Sequence, residues 1–203
     1  MPRVRAQLRA VTLVVDWCSH EAAALACTRW HYSGCLPTGK LVKVGAWEAG
    51  AFVGAVLFSR GASPWLGKAY ALDATEVCEL TRVALRAHEA PVSQIVARAL
   101  DLLRGQSPGL RLVVSFADPT QGHRGGIYQA GNWIYTGQSS PVLEHFVGGR
   151  WRHVRGSYHE VKRRGAENVP TRQMPGKHRY LMPLDRAMRR RVERLRQPAP
   201  SAA

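Results

Sequence analysis

The sequence predicts an α/β protein: a mixed central sheet flanked by helices, followed by a basic C-terminal extension. Three observations support this class. Short β-branched runs alternate with helical patterns, two of the runs flank a glycine turn, and positive charge is concentrated near the C terminus. A chain of 203 residues, 45% of them hydrophobic, is long enough for one domain with a substantial core.

The first half of the chain predicts a strand, a helix and a hairpin. Residues 11–16 form a short apolar run, which indicates a strand. Ser19 is suited to cap a helix over residues 21–30, whose alanine and leucine content favours that state. Residues 41–48 and 52–59 flank a short glycine-containing segment, and we therefore predict a β-hairpin there.

In the second half of the chain, a clear hydrophobic periodicity predicts secondary structure up to about residue 141, and it is lost from there onward. The predicted elements are a strand over residues 79–85, a helix over 91–104, a buried strand over 110–116, a helical turn over 127–131 and a strand over 133–136. The polar, glycine-rich residues 117–126 follow the buried strand, at the edge where open α/β sheets bind ligands. Farther on, residues 184–196 predict a basic amphipathic helix and residues 198–203 a frayed tail.

Charge is distributed unevenly along the chain, whose net charge is +15. Residues 1–149 contain 14 Lys/Arg and 10 Asp/Glu, whereas residues 150–203 contain 15 Lys/Arg and 4 Asp/Glu. Such a field favours an anionic polymer or an acidic membrane surface as partner, although a basic surface can also serve solubility alone. We predict a main domain over residues 1–149 and an extension over 150–203 within the same compact unit.

The cysteines and the hydropathy indicate the compartment. The four cysteines form no CxxC pair and have no zinc-ligand spacing with histidines, so we expect reduced thiols and no structural zinc. The sequence shows no signal peptide and no apolar stretch of membrane-spanning length. It therefore predicts a cytoplasmic protein without a membrane partner.

Two constellations of residues could carry chemistry at the predicted ligand edge. His31 and Tyr32 stand at the end of the first helix, where they could supply a proton acceptor, a metal ligand or a base-stacking ring, or be structural. Asp118 follows the buried strand as a potential general base or iron ligand, with His123 in reach of the same space. The alternative for Asp118 is an Asx-turn that closes the loop.

A tyrosine and an arginine add to these constellations. Tyr128 could belong to the core, donate a proton to a leaving group or stack on a flipped base. Arg82 lies on a strand, and because an unpaired buried arginine is costly it could face an anionic donor, or it could be an edge residue.

Several long motifs together resemble the Mom DNA-modification family of Mu-like phages. The resemblance runs in order from about residue 25 to about residue 185. It is carried by residues 30–34 (WHYSG), residues 36–40 (LPTGK), the hairpin over 45–58, residues 76–85 (EVCELTRVAL) and residues 112–137 (LVVSFADPTQGHRGGIYQAGNWIYTG).

The resemblance implies a GCN5-type N-acetyltransferase-like fold for residues 1–149. It also implies conversion of adenine in double-stranded phage DNA to an N6-carbamoylmethyl derivative, which protects the DNA from restriction in the host cytoplasm. By position, His31, Tyr32, Asp118 and Tyr128 are the expected catalytic residues. The family's association with iron makes His31 and Asp118 the expected metal ligands, and Tyr128 the expected proton donor.

The remaining predicted contacts divide between the donor and the DNA. We predict that the donor contacts Arg82, Ser115 and His123. The basic extension is expected to hold backbone phosphates, with Trp151 and Tyr158 interleaved among its cations. The predicted DNA-binding residues are Arg150, Arg152, Arg155, Lys162, Arg163 and Arg164. The target adenine must leave the duplex stack to be reached.

The identity of the acyl donor stays open at this point. Acetyltransferases of this fold carry a glycine-containing loop whose amides bind the coenzyme A pyrophosphate, but residues 86–92 (RAHEAPV) contain no glycine. A plain acetyl transfer also gives an amide rather than a carbamoylmethyl amine. A glycyl-tRNA donor would supply both carbons and the nitrogen of the product, so acetyl-CoA and glycyl-tRNA are both retained.

Two other functions compete with DNA modification. The chain could be an N-acetyltransferase acting on protein or small-molecule amines, or a DNA-binding protein without catalysis. An adenine methyltransferase is excluded, because Thr120 and Gln121 stand where its Asp-Pro-Pro-Tyr motif needs proline and tyrosine.

Overall fold

The computed structural model describes residues 12–61 and 63–201. Its strands in chain order are β1 (Leu13–Trp17), β2 (Leu41–Glu48), β3 (Ala51–Ser59), β4 (Val77–Leu85), β5 (Leu112–Ala117), β6 (Ile134–Gln138), β7 (Val142–Val147), β8 (Arg150–His153), β9 (Thr171–Met174) and β10 (His178–Pro183). Its α-helices are α1 (His20–Trp30), α2 (Val92–Gln106), α3 (Gly126–Ala130), α4 (Val154–Arg164) and α5 (Arg186–Glu193). Among the helices of these residues, none is long and apolar enough to cross a membrane.

Seven of these strands form a mixed sheet in the order β1-β2-β3-β4-β5-β10-β6. Neighbouring strands are antiparallel except β4 and β5, which run parallel. The parallel pairing extends from Val77 opposite Leu112 to Leu80 opposite Ser115, and both strands continue beyond it. A separate three-stranded sheet has the order β8-β7-β9. The predicted α/β class with a mixed central sheet is therefore confirmed.

The elements predicted in the first half of the chain are present, and local hydrogen bonds and turn geometry account for them. The Ser19 side chain accepts a hydrogen bond from the Ala22 amide at 3.1 Å and so caps α1. Strands β2 and β3 form the predicted hairpin, with Ala49 and Gly50 at positive φ in a two-residue turn. Residue 11 of the first predicted strand lies outside the described residues.

Helix α2 joins β4 to β5 and covers one face of the sheet. Its apolar stripe is nearly inaccessible to solvent and packs into the main core, which is the burial expected from the helical period of the sequence. The stripe consists of Ile95, Val96, Ala99, Leu100 and Leu103. Each valine, leucine or isoleucine of the stripe, when fully buried, stabilises the fold by about 1.5–3 kcal/mol before entropic costs.

The C-terminal part of the chain holds the elements that the sequence did not reveal. Strand β10 lies between β5 and β6, and its neighbouring residues Tyr180 and Leu181 are buried in two different core clusters. Both faces of the strand are thus covered, and it lacks the alternation by which half-buried strands are recognised. Strands β7 to β9 and helix α4 were not predicted either. The predicted helix over residues 184–196 is observed as the shorter α5, whose first turn is capped by Asp185 through the Met188 amide.

The predicted boundary between residues 149 and 150 falls between β7 and β8 of the small sheet. The small sheet begins with β7, before residue 150, and β10 returns the chain to the main sheet after it. The separation into residues 1–149 and 150–203 stays a prediction. Residues 202 and 203 of the predicted tail lie outside the described part.

Gly125 fixes the start of α3 against the core. Its φ is +83°, and a Cβ built there would stand 2.2 Å from Cε2 of the Tyr180 ring, closer than any two such atoms can approach. The Tyr180 hydroxyl in turn donates to the carbonyl of Arg124 at 2.6 Å. Only glycine meets both the conformational and the steric requirement here.

We expect Gly125→Ala to destabilise the protein by about 2 kcal/mol or more, because it adds steric overlap to a left-handed backbone. Urea unfolding followed by circular dichroism measures the change. Gly105→Ala is the matched control, since Gly105 lies in α2 with open space around it and should be neutral or stabilising. Equal stability of the two variants would contradict this account of Gly125.

Candidate active site

A cavity of about 640 Å³ opens where β4 and β5 separate. The two strands are paired only as far as Leu80 and Ser115, and the side chains beyond that point line the opening. The end of α1 and the loop leading into α3 close its other sides. The lining residues that bear on the chemistry are His31, Tyr32, Arg82, His88, His123 and Tyr128.

Five of the seven residues predicted from the sequence for catalysis or donor binding line this one cavity. They are His31, Tyr32, Arg82, His123 and Tyr128. A bulge in the pairing of β3 with β4 places Thr81 beside Arg82 on the lining, although strict alternation predicts opposite faces. Segments separated by up to about a hundred residues in sequence thus converge on the same space.

Three rings meet at the mouth of the cavity. The Tyr32 ring centroid lies 4.2 Å from that of His31 and 5.4 Å from that of His123, the latter in an edge-on arrangement. Tyr32 remains 51% exposed although it contacts both rings. An aromatic face open to solvent at a cavity entrance suits stacking against a planar group.

His31 is held as a neutral hydrogen-bond donor. Its Nδ1 accepts from the Ser33 amide at 3.1 Å and lies 2.8 Å from Ser33 Oγ. The proton of the neutral ring therefore resides on Nε2. Burial, followed by the charges of Arg82, His123 and Lys177, lowers the pKa of His31 to about 4. At neutral pH this ring is a weak proton acceptor.

Tyr128 is part of a buried chain of hydroxyl groups. Its oxygen lies 2.8 Å from Ser115 Oγ, which is 2.9 Å from the carbonyl of Leu80. Ser115 has one hydroxyl proton, which it can donate to the Leu80 carbonyl or to the Tyr128 oxygen. When the serine donates to Leu80, Tyr128 donates to Ser115, and when the serine donates to Tyr128, the phenol proton can point into the cavity. Burial raises the pKa of Tyr128 to about 12, so the phenol stays protonated at neutral pH. Ser115 is fully buried beneath Tyr128 and does not line the cavity.

Asp118 lies beside the cavity rather than on its lining. One carboxylate oxygen accepts from the Thr120 amide at 3.0 Å and from its hydroxyl at 2.7 Å, and the other lies 2.9 Å from Lys177 Nζ. Burial raises the pKa of Asp118, but the hydrogen bonds from Thr120 and Lys177 outweigh it and keep the pKa below its usual value. The Asx-turn considered from the sequence is thus present.

The side chains do not fit the iron site that the resemblance implied. In the described residues, no group of three or more His, Cys, Asp or Glu side chains could hold a metal ion. His31 uses Nδ1 for Ser33, and both oxygens of Asp118 already have partners. No chemical step is therefore assigned to iron.

The loop between β4 and α2 is closed by a carboxylate from a distant strand. Glu48, at the end of β2, accepts hydrogen bonds from the amides of Glu89 at 2.8 Å and Ala90 at 2.7 Å. The residue is only 8% exposed. Both amides are therefore engaged by the Glu48 carboxylate.

The predicted DNA-binding residues lie on β8 and α4, away from the cavity lining. Arg150, Lys162, Arg163 and Arg164 are exposed, and Arg152 is partly buried with an unpartnered Nε. Glu160 lies 3.5 Å from Arg163 and 2.6 Å from Arg164 and so offsets part of their charge. The side chain of Arg155 lies outside the described residues.

The protonation of His31 gives a direct test of this geometry. We expect its imidazole to titrate near pH 4, because the ring is buried beside Arg82 and accepts from the Ser33 amide. Since the unfolded ring binds a proton more readily, this residue should make stability rise with pH between about 4 and 6.5. Imidazole chemical shifts, assigned with His31→Gln, measure the midpoint. A midpoint at or above 6.5 would contradict the described environment.

Similarity to known proteins agrees with the fold. The chain is similar to an aminoglycoside acetyltransferase AAC(6')-Ib solved with coenzyme A, at 12% identity and a TM-score of 0.52, covering 90% of this chain and 99% of that one. It is also similar to yncA from Salmonella typhimurium, solved with its cofactor acetyl-CoA, at 13% identity and a TM-score of 0.50, covering 86% and 95%. None of the curated proteins compared with the chain matches it.

These likenesses show the N-acetyltransferase fold, and a sequence-family match goes further. The model of the Mom protein family matches residues 12–201, which is nearly the whole chain. This coverage includes every motif that carried the resemblance in the sequence. The chain therefore belongs to the Mom protein family.

Proposed function

We propose that the chain transfers an acyl group to the N6 amine of adenine in DNA and so produces the carbamoylmethyl derivative that protects DNA from restriction. Family membership and the acetyltransferase fold support a transferase of this kind. The observation that carries the proposal is a cavity that has three rings at its mouth and a protonated phenol inside.

The mouth of the cavity suits a flipped base. A cavity of about 640 Å³ has room for a nucleobase together with the reacting end of a donor. The exposed Tyr32 ring, backed by His31 and His123, offers a stacking surface for an extruded adenine. The Nε2–H of His31 can donate to a ring nitrogen of the base, which would select its orientation.

Two residues of the cavity transfer protons in the acyl-transfer step. The N6 amine attacks the donor carbonyl, a C–N bond forms and the bond from that carbon to the leaving group breaks. Tyr128 donates its proton to the leaving group, which suits a phenol whose pKa is about 12. His123 takes the N6 proton, since His31 carries its proton on Nε2 and Asp118 is engaged with Thr120 and Lys177.

The two donors lead to different products. Acetyl-CoA gives an N6-acetyl amide, whereas a glycyl donor such as glycyl-tRNA gives N6-glycyladenine. The latter has the same atoms as N6-carbamoylmethyladenine. Attack of its free amine on ring carbon C6, with departure of the original N6 as the amide nitrogen, converts one isomer into the other without a further reactant. The composition of the product therefore favours the glycyl donor.

We assign the contacts with the DNA backbone to the three-stranded sheet and to α4. The exposed cations of these elements provide attraction to phosphates without sequence readout. Near them, the Arg172 guanidinium stacks on the Trp151 ring at 4.5 Å, and Tyr158 is exposed. Such pairs of cations and aromatic rings suit a strand whose bases are partly unstacked.

Replacing Tyr128 tests the proposed function. We expect DNA from cells expressing the wild-type chain to contain a modified adenine, and Tyr128→Phe to lower its amount about a hundredfold through loss of the proton donor. Mass analysis of digested nucleosides makes the measurement. Tyr70→Phe is the matched control, because Tyr70 is an equally buried tyrosine in another core cluster. Ordinary nucleosides alone in the wild-type sample would refute the proposal.

Isotope labelling tests the donor separately. Cells supplied with ¹⁵N-glycine should yield modified adenine in which the label lies on the nitrogen bonded to C6, because the rearrangement exchanges the two nitrogens. Fragmentation of the modified nucleoside locates the label. A modified base without any glycine label would exclude the glycyl donor, and a label in the terminal amide would exclude the rearrangement.

A further inference from the structure

The side chain of Gln129, the residue after Tyr128 on α3, lies among three oxygen atoms. Its Nε2 lies 3.0 Å from the carbonyl oxygen of Pro200, 3.1 Å from the hydroxyl oxygen of Tyr180 and 3.3 Å from the carbonyl oxygen of Arg124. Because a carbonyl can only accept, the nitrogen of the amide, rather than its oxygen, faces this space. Its two hydrogens satisfy the two shorter contacts, those with Pro200 and Tyr180.

The Tyr180 hydroxyl connects Gln129 to the loop that lines the cavity. Its own proton goes to the Arg124 carbonyl at 2.6 Å, so its oxygen is left as an acceptor for Gln129. Arg124 directly follows His123, and both residues line the cavity. The two side chains that transfer protons in the proposed reaction, His123 and Tyr128, are therefore each adjacent in sequence to a member of this hydrogen-bonded group.

Helix α3 depends on such contacts because it is too short to stabilise itself. It has five residues, and no side chain of the described residues caps its first turn. The loop before it is rich in glycine, which stands at positions 122, 125 and 126. Glycine loses more conformational freedom on folding than other residues do, so an ordered loop here needs an anchor.

The Pro200 carbonyl belongs to a tail that runs along the end of the main sheet. The tail follows α5, and the Gln197 amide donates to the carbonyl of Tyr135 at 2.9 Å. Tyr135 lies on β6, the last strand in the sheet order. Pro200 is partly buried, and its carbonyl accepts from Gln129. Residues 197–200, which we call the C-terminal strap, are therefore fixed to β6 at one end and to α3 at the other.

We propose that the C-terminal strap holds α3 and the loop before it in place, and that Gln129 is the positioning residue through which it acts. The inference rests on the proposed function, in which His123 accepts the amine proton and Tyr128 donates to the leaving group. Gln129 directly follows Tyr128 and is joined to the Arg124 carbonyl through Tyr180, so one amide sets the two proton-transferring side chains relative to each other. A misplacement of about 1 Å is enough to slow such a step substantially.

Hydrogen exchange of the full-length chain tests the strap independently of activity. Gln129→Glu keeps the size of the side chain but replaces the donating nitrogen with an acceptor, which then faces the Pro200 carbonyl and the Tyr180 oxygen. We expect amide exchange over residues 123–131 to become about tenfold faster, because local opening becomes easier, while exchange in α2 is unchanged. Gln94→Glu is the matched control, since Gln94 is exposed on α2.

A second pair of variants tests the other end of the strap. Gln197→Pro removes the amide that donates to Tyr135, whereas Gln197→Ala keeps it. Gln197→Pro should speed exchange over the same residues 123–131, and Gln197→Ala should change it less than about twofold. Thermal unfolding shows which variants are folded. If Gln129→Glu does not fold, Gln197→Pro decides the test.

Two further measurements separate a positioning role from a merely structural one. The imidazole resonances of His123, whose ring centroid lies 5.4 Å from that of Tyr32, should shift in Gln129→Glu and not in Gln94→Glu. Mass analysis of cellular DNA should show about tenfold less modified adenine with Gln129→Glu than with the wild-type chain. Gln94→Glu should leave the amount unchanged.

Unchanged exchange over residues 123–131 in both Gln129→Glu and Gln197→Pro would overturn the strap. Equal loosening of α2 would do the same, because it reports a general loss of stability. Undiminished adenine modification in Gln129→Glu, with a loosened loop, would overturn the positioning role. If the loop loosens as expected but wild-type DNA contains only ordinary nucleosides, the proposed function is removed and the strap stays as a structural device.

Discussion

Strands β4 and β5 separate beyond Leu80 and Ser115, and this separation opens the space for the candidate active site. At the last paired position the Ser115 hydroxyl donates to the Leu80 carbonyl, and the Tyr128 hydroxyl meets the same serine. The fork in the sheet and the phenol are thus held by one side chain. Because both strands continue as rigid elements, the residues that line the opening are fixed relative to one another.

The cavity is equipped to stabilise negative charge more than to remove protons. It contains hydrogen-bond donors from His31, Tyr128 and Arg82, whereas the carboxylates nearest to it have their oxygens engaged. Such a site favours charge that develops on a carbonyl oxygen or a leaving group during acyl transfer. In the proposed reaction, the nucleophile loses its proton to His123 after the new bond has begun to form, because the nitrogen becomes acidic as it bonds to the carbonyl carbon.

Much of the fold and part of the site follow from the sequence. Helix α1, the hairpin and α2 have clear local signals in the sequence, namely a capping residue, a turn sequence and a helical apolar period. Their positions were therefore predictable within a few residues. His31 and Tyr128, which were selected from the recognised motifs, both line one cavity, and their catalytic roles stay predictions. Lys177 and Glu48 were not foreseen, because their partners lie 41 to 59 residues away along the chain and no local pattern records such pairing. Strand β10 was missed because a strand buried on both faces has no alternation.

Tertiary and local contacts also bear on the roles that the sequence predicted for Asp118 and Ser115. Asp118 has the residue type and position of a general base, but Lys177 and Thr120 make it a fixed, ionised turn residue. Ser115 stands in a recognised motif, but its burial makes it a support for Tyr128. Sequence motifs identify candidate residues. Their protonation and hydrogen bonding, however, depend on neighbours that the tertiary structure brings close.

The place of β10 has a consequence for the order in which the protein matures on the ribosome. This strand is made near the end of synthesis, yet it fits between β5 and β6 and contributes the Tyr180 ring that packs against Tyr128. A nascent chain that has not yet emerged past residue 183 therefore lacks the wall behind the phenol. Any activity that depends on Tyr128 should therefore appear only once translation is nearly complete, and prematurely terminated products should lack it.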